Sequence, residues 1–164
     1  MISYENAGVP VRPEFATAHQ EYWDRLARPG NWWSGNARVA IARETRHAAQ
    51  CPLCARRVDA LSPHTVSGEH QTAASELPAP AVEVIHAVMN YASRLTRRWF
   101  DDVLTAGLDV EAYVEIIGTI VATVSIDRFC QAVGLPLHPL PSSEPGEPSR
   151  YRPLSAGPDE AWVP

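Results

Sequence analysis

Pro52 stands where a helical run would otherwise continue, and it divides the middle of the chain. Inside a helix, proline removes one backbone hydrogen bond and clashes with the carbonyl four residues back, and it drives the preceding residue out of the α region. The run ARVAIARETRHAA that opens at Ser34 or Asn36 is therefore expected to break near Gln50 and Cys51. A new helix then begins with Cys51 at the cap, Pro52 at the first position and Cys54 in the first turn, and continues through ARRVDAL toward Pro63. Free backbone N–H groups and the positive end of the helix dipole face whatever sits at such a start, so the spacing Cys51-Pro52-Leu53-Cys54 points to a stabilised thiolate.

Other elements follow from periodicity and punctuation. Phe15, His19, Tyr22, Trp23 and Leu26 recur at spacings of three and four, which predicts an amphipathic helix from Pro13 to Arg28 closed by Pro29-Gly30. From Ser62 to Pro80, Ser, Thr, Gly, Ala and Pro dominate, as in a loop; it carries His64 and His70 and is placed to lie over the cysteines. Helices are predicted from Ala81 to Ala92, from the Thr96 cap to Gly107, and from the Asp109 cap to Gly134. The last is apolar nearly all round between Ile116 and Ile126, so burial on several sides is expected, with a second subunit as one possible cover. Beyond Gly134 prolines are too dense for a helix or a central strand, which leaves an extended arm with Tyr151 and Trp162 as large anchors. No strand is predicted. The expected class is all-α, divided into an N-terminal helix and arm (1–33), a helical core (34–135) and a proline-rich arm (136–164).

At 164 residues and 45% hydrophobic content, one core is the expectation. The opening MISYENAGVPVRPEF has neither a basic nor an apolar leader segment, and no stretch approaches the roughly 18 apolar residues of a membrane span, so a cytoplasmic protein without a membrane partner is expected. A net charge of -5 argues against nucleic acid as a partner. All fourteen cations are arginine; Arg43, Arg46, Arg56 and Arg57 flank the cysteines, where positive charge would lower a thiol pKa. Three cysteines are too few for a secreted disulfide scaffold and fit a cytosolic dithiol. Cys130, beside Phe129 on the apolar helix, reads as a small buried hydrophobe.

Glu44 and His47 lie seven and four residues before Cys51, on the helix face that leads toward the cysteines. They are the first candidates for a base and its orienter, with His70 second and His86 behind it. Cap position favours Cys51 as the lower-pKa thiol. Asp127 either pairs with a neighbour or faces the site.

The helix, CxxC, helix arrangement around Cys51 and Cys54, followed by YVEIIGTIVATVSIDRFCQAVGLPL, resembles the alkylhydroperoxidase D and carboxymuconolactone decarboxylase superfamily, over about residues 37–141. The resemblance implies an alkylhydroperoxidase-like helical bundle assembled as a dimer, trimer or hexamer. It implies a peroxidatic Cys54, a resolving Cys51, a redox-active disulfide with no bound cofactor, and re-reduction by a dithiol protein or small thiol. The family relay places a His four residues after the second cysteine and a Glu twelve before the first; here those positions are Val58 and Val39, so Glu44, His47 and His70 are the substitutes to consider. The resemblance is closest to an alkylhydroperoxidase-related branch with a CxxC.

Three further readings remain open. One is a decarboxylase-like or lyase-like member of the same superfamily. Another is a zinc site in which the cysteines are completed by His47, His64 or His70. In the third, the chain is one half of a two-component assembly docked by the C-terminal arm.

Overall fold

In the computed structural model, which describes residues 1–154 and 157, prolines and glycines divide the chain into six α-helices joined by turns and by one long loop, residues 60–78, between the third and fourth. These are α1 (Pro13–Ala27), α2 (Gly35–His47), α3 (Pro52–Asp59), α4 (Ala79–Tyr91), α5 (Arg97–Thr105) and α6 (Val110–Ala132), with 3-10 turns at Ala48–Gln50, Pro63–Thr65 and Ala92–Arg94. There is no strand among the described residues.

The boundaries have local causes. Pro13 and Pro52 open α1 and α3, and the Ser34 and Thr96 hydroxyls accept hydrogen bonds from the Ala37 and Trp99 N–H groups at the starts of α2 and α5. Cys51 has extended backbone (φ -73°, ψ 120°), as the residue before a proline must. Gly134, with φ of 76°, ends α6, and the Leu135 N–H returns to the Cys130 carbonyl at 2.9 Å. One expected boundary is wrong. The helix after the cysteines ends at Asp59, short of Pro63, because the Arg94 guanidinium donates to the carbonyls of Val58, Ala60 and Leu61 and so satisfies groups that another turn would have paired.

α2, α4 and α6 pack on one another, α1 covers α2, and α3 lies against α4. Ile41, Val84, Ile85, Phe100, Ile116 and Ile120 fill the main core. A second cluster joins Leu26 and Trp23 to Ile126, Cys130 and the N-terminal arm through Ile2 and Tyr4. Cys130 is buried as expected, with the Tyr4 hydroxyl 3.8 Å from its sulfur. α6 is buried on several sides, against α2, α4 and α1, with Val121 about half exposed on its outer face.

The C-terminal arm lies across its own domain. Trp23 Nε1 donates to the Pro139 carbonyl, the Glu144 N–H to the Ala27 carbonyl, and Ser149 and Arg150 donate to the carbonyls of Gly30 and Asn31. Tyr151 is 63% exposed and does not anchor it; Trp162 lies outside the described residues. Asp127 faces Arg46, in two hydrogen bonds of 2.7 and 2.8 Å that tie α6 to α2, and takes no part in the cysteine site.

Candidate functional site

The break before Pro52 brings both sulfurs of the CxxC to the start of α3, where they are buried against Leu53 and Val66. Two imidazoles approach them. His70 Nδ1 is 3.5 Å from Cys51 Sγ and 3.6 Å from Cys54 Sγ, and His86 Nδ1 is 3.3 Å from Cys54 Sγ. The two rings lie 4.2 Å apart, centre to centre.

Each ring is held from behind by a carboxylate. His86 Nε2 meets Glu44 Oε1 at 2.6 Å, with both side chains fully buried. The other Glu44 oxygen accepts from the Thr72 hydroxyl and the Ala73 N–H, which fastens the loop to α2. His70 Nε2 meets Glu83 Oε2 at 2.9 Å. Glu83 in turn accepts from Arg57 and from Trp99 Nε1, while Arg57 also donates to the Tyr91 hydroxyl and, through Nε, to the Val66 carbonyl. The loop that carries His70 is thus fixed at both ends by site residues. Gly68, at φ +152°, lets it turn close over Leu53, where an added Cβ would sit 3.1 Å from a leucine methyl carbon.

The two histidines have opposite proton affinities. Burial lowers that of His70, but Glu83 and Cys51 raise it more, so its pKa lies above the ordinary value. For His86 burial dominates, assisted by positive charge on His70, and its pKa is depressed despite Glu44. The thiols divide likewise. Burial pushes the Cys51 thiol up, yet the Cys54 backbone N–H, His70 and the Gln71 backbone N–H together bring it down to about 7. Burial and negative charge on Cys51 push Cys54 up to about 12. Glu83, despite a burial penalty, is held down at about 2 by His70 and Arg57.

Of the residues anticipated from sequence, Cys51, Cys54, Glu44 and His70 meet in this cluster, and His86 joins them from α4. His47 does not: it bonds to neither thiol nor Glu44, and its Nε2 is buried without a partner. It lies one turn along α2 from Glu44 and makes no hydrogen bond to the cluster. His64 stacks on Trp99 instead, centres 6.1 Å apart. Among the four flanking arginines, Arg57 alone reaches the site; Arg43 pairs with Glu76, Arg46 with Asp127, and Arg56 is exposed. Val58 is exposed on α3, so the position four after Cys54 points to solvent, and α4 provides the imidazole. Glu83 was missed. Its signal is a lone carboxylate within the apolar run of α4, one turn before His86.

A cavity of about 710 Å³ borders the cluster, lined by Arg57, His70, Glu83, Leu77, Val82 and Trp99 among others. His70 therefore stands between this cavity and the buried sulfurs.

No protein-family model matches the chain, and no curated protein or solved structure is significantly similar to it.

Proposed function

We propose that the chain is a thiol-dependent oxidoreductase that reduces an organic hydroperoxide through Cys51 and Cys54. The observation that carries this reading is the pair of imidazole–carboxylate units, of opposite proton affinity, that converge on one CxxC. Dithiol chemistry needs one sulfur as a thiolate and a proton donor for the leaving oxygen, then a base for the second sulfur. His70, with raised proton affinity and Glu83 behind it, is the imidazolium beside the Cys51 thiolate. His86, with depressed proton affinity, is the neutral ring; its Nε2–H donates to Glu44 and its Nδ1 lone pair faces the Cys54 thiol.

Cys51 sulfur attacks the outer oxygen of the hydroperoxide. An S–O bond forms, the O–O bond breaks, and the alkoxide leaves as alcohol with the His70 proton. His86 then takes the Cys54 proton and Cys54 sulfur attacks Cys51; the S–S bond forms, the S–O bond breaks, and hydroxide leaves as water with that proton. An external dithiol returns the disulfide to two thiols. These roles reverse the family expectation of a peroxidatic Cys54. What supports the reversal is the cap position of Cys51 and the two N–H groups that lower its pKa. The cavity, walled by Leu77, Val82 and Trp99 and reaching Arg57 at the site, suits a small organic hydroperoxide. The resemblance of the CxxC and α6 sequences to the alkylhydroperoxidase superfamily points to the same chemistry, to a dithiol reductant and to a homo-oligomer.

The test is hydroperoxide consumption with a dithiol reductant, for wild type, Cys51→Ser and Cys54→Ser. Wild type turns over with the dithiol and forms one disulfide without it; Cys51→Ser consumes no peroxide; Cys54→Ser, with the dithiol left out, consumes one equivalent and stops as a sulfenic acid trapped by a carbon nucleophile. Peroxide that survives all three proteins, with no disulfide formed, sinks the proposal. A sulfenic acid trapped on Cys54 in the Cys51→Ser protein instead reverses the two cysteine roles.

A further inference from the structure

We infer that Cys51, Cys54, His70 and His86 also form a tetrahedral site for a zinc(II) ion. This inference stands on the geometry of the four donors and does not rest on the peroxide reading. With Zn–S near 2.3 Å and Zn–N near 2.0–2.1 Å, a tetrahedral ion separates a sulfur ligand from a nitrogen ligand by about 3.6 Å. The three sulfur–nitrogen contacts here are 3.5, 3.6 and 3.3 Å, and all four donor atoms lie within 4.8 Å of one another. Two thiolates and two imidazoles in such an arrangement are the donor set that zinc selects.

The surroundings fit a metal as closely as the donors do. Both rings turn Nδ1 toward the common point and give Nε2–H to a carboxylate, His70 to Glu83 and His86 to Glu44. That arrangement fixes the tautomer and raises the basicity of a metal-binding imidazole. The carboxylates are themselves held, Glu44 by Thr72 and Ala73 and Glu83 by Arg57 and Trp99. Two thiolates neutralise the charge of the dication, so it enters a buried site without an uncompensated charge of its own. The donors come from the start of α3, the loop before α4, and α4 itself, so one ion would bind three separate parts of the chain together. Four protein ligands close the coordination sphere, as in a structural centre and unlike a hydrolytic one that keeps a position for water. The ion and a Cys51–Cys54 disulfide require the same sulfur lone pairs and exclude each other.

Spectroscopic titration of reduced, metal-free protein with cobalt(II), then with zinc(II), tests the site. One equivalent of cobalt is expected to give the intense visible bands of a tetrahedral ion together with a thiolate charge-transfer band, and zinc to displace it and protect both cysteines from alkylation. His70→Ala and His86→Ala lose that signature while His47→Ala retains it, and Glu83→Gln weakens zinc binding about 10–100-fold. Should a histidine variant lose its helical circular dichroism, the wild-type spectrum and Glu83→Gln decide. A wild-type protein that binds no cobalt, or binds it with a weak octahedral spectrum and no thiolate band, overturns the assignment, as does loss of the signature in His47→Ala. Peroxide turnover is measured on metal-free protein, so the zinc and peroxide proposals fail independently.

Discussion

Glu44 Oε1 and His86 Nε2 are bonded at 2.6 Å with neither side chain open to solvent. Burial penalises the Glu44 carboxylate, but His86, Thr72 and Ala73 more than offset this and keep its pKa below the ordinary value. Glu44→Ala strips the acceptor from all three donors at once and is expected to cost about 1–3 kcal/mol, the penalty of buried donors left without a partner. Glu44→Gln, which keeps the shape and one carbonyl oxygen, should cost less than half as much. Thermal unfolding followed by circular dichroism checks both; a Glu44→Ala protein as stable as wild type would show that Glu44 does not anchor the loop.

Reduced, metal-free protein should show a first thiolate step near pH 7, read by ultraviolet thiolate absorbance and lost in Cys51→Ser. The ordinary value is 9.0, so the folded pKa is depressed. Ionised Cys51 then contributes stability that is fully present above about pH 9, falls as pH drops toward 7, and is gone below it. The disulfide form has no such step. Titration of Cys51 near its ordinary value would remove the electrostatic case for it as the nucleophile.

Glu83→Gln removes the negative charge that keeps His70 protonated. The imidazolium weakens, and the Cys51 step should move up by about one pH unit. Helical content should be retained, because Arg57 keeps its bonds to Tyr91 and Val66. An unmoved step would mean that the backbone N–H groups, not His70, set the thiolate.

At Gly35 a Cβ would stand 2.2 Å from the Ala27 carbonyl oxygen and 2.7 Å from that of Glu144. Both atoms are backbone, so Gly35→Ala must push the C-terminal arm from α1, at a cost of about 1–3 kcal/mol. Faster proteolysis beyond residue 141 in the variant than in wild type checks this; equal rates would show that the arm does not depend on this contact.

How much of the site was legible depends on whether a residue's role is local. Cys51 and Cys54 were placed correctly because Pro52 fixes the helix start within four residues. Glu44 was legible as a face of α2 seven residues before the cysteines, but the same spacing drew in His47, since periodicity gives a face only to within half a turn. Glu83 and Arg57 were not singled out. Glu83 lies in an apolar helix where its partner is 13 residues away, and Arg57 resembles its neighbours Arg43, Arg46 and Arg56 until packing shows that it alone turns inward.

By itself the sequence determined the helical class, the breaks at Pro13, Pro52 and Gly134, and the cap position of Cys51, because each follows from backbone sterics within a few residues. Only the tertiary structure decided which imidazoles face the sulfurs. His70 arrives on a loop and His86 from α4, 19 and 32 residues from the thiols they face most closely, and burial with Glu83 or Glu44 shifts the proton affinities of the two rings in opposite directions. Solvent exclusion and charge proximity are properties of the packed chain, so two identical side chains acquired different chemistry around one CxxC.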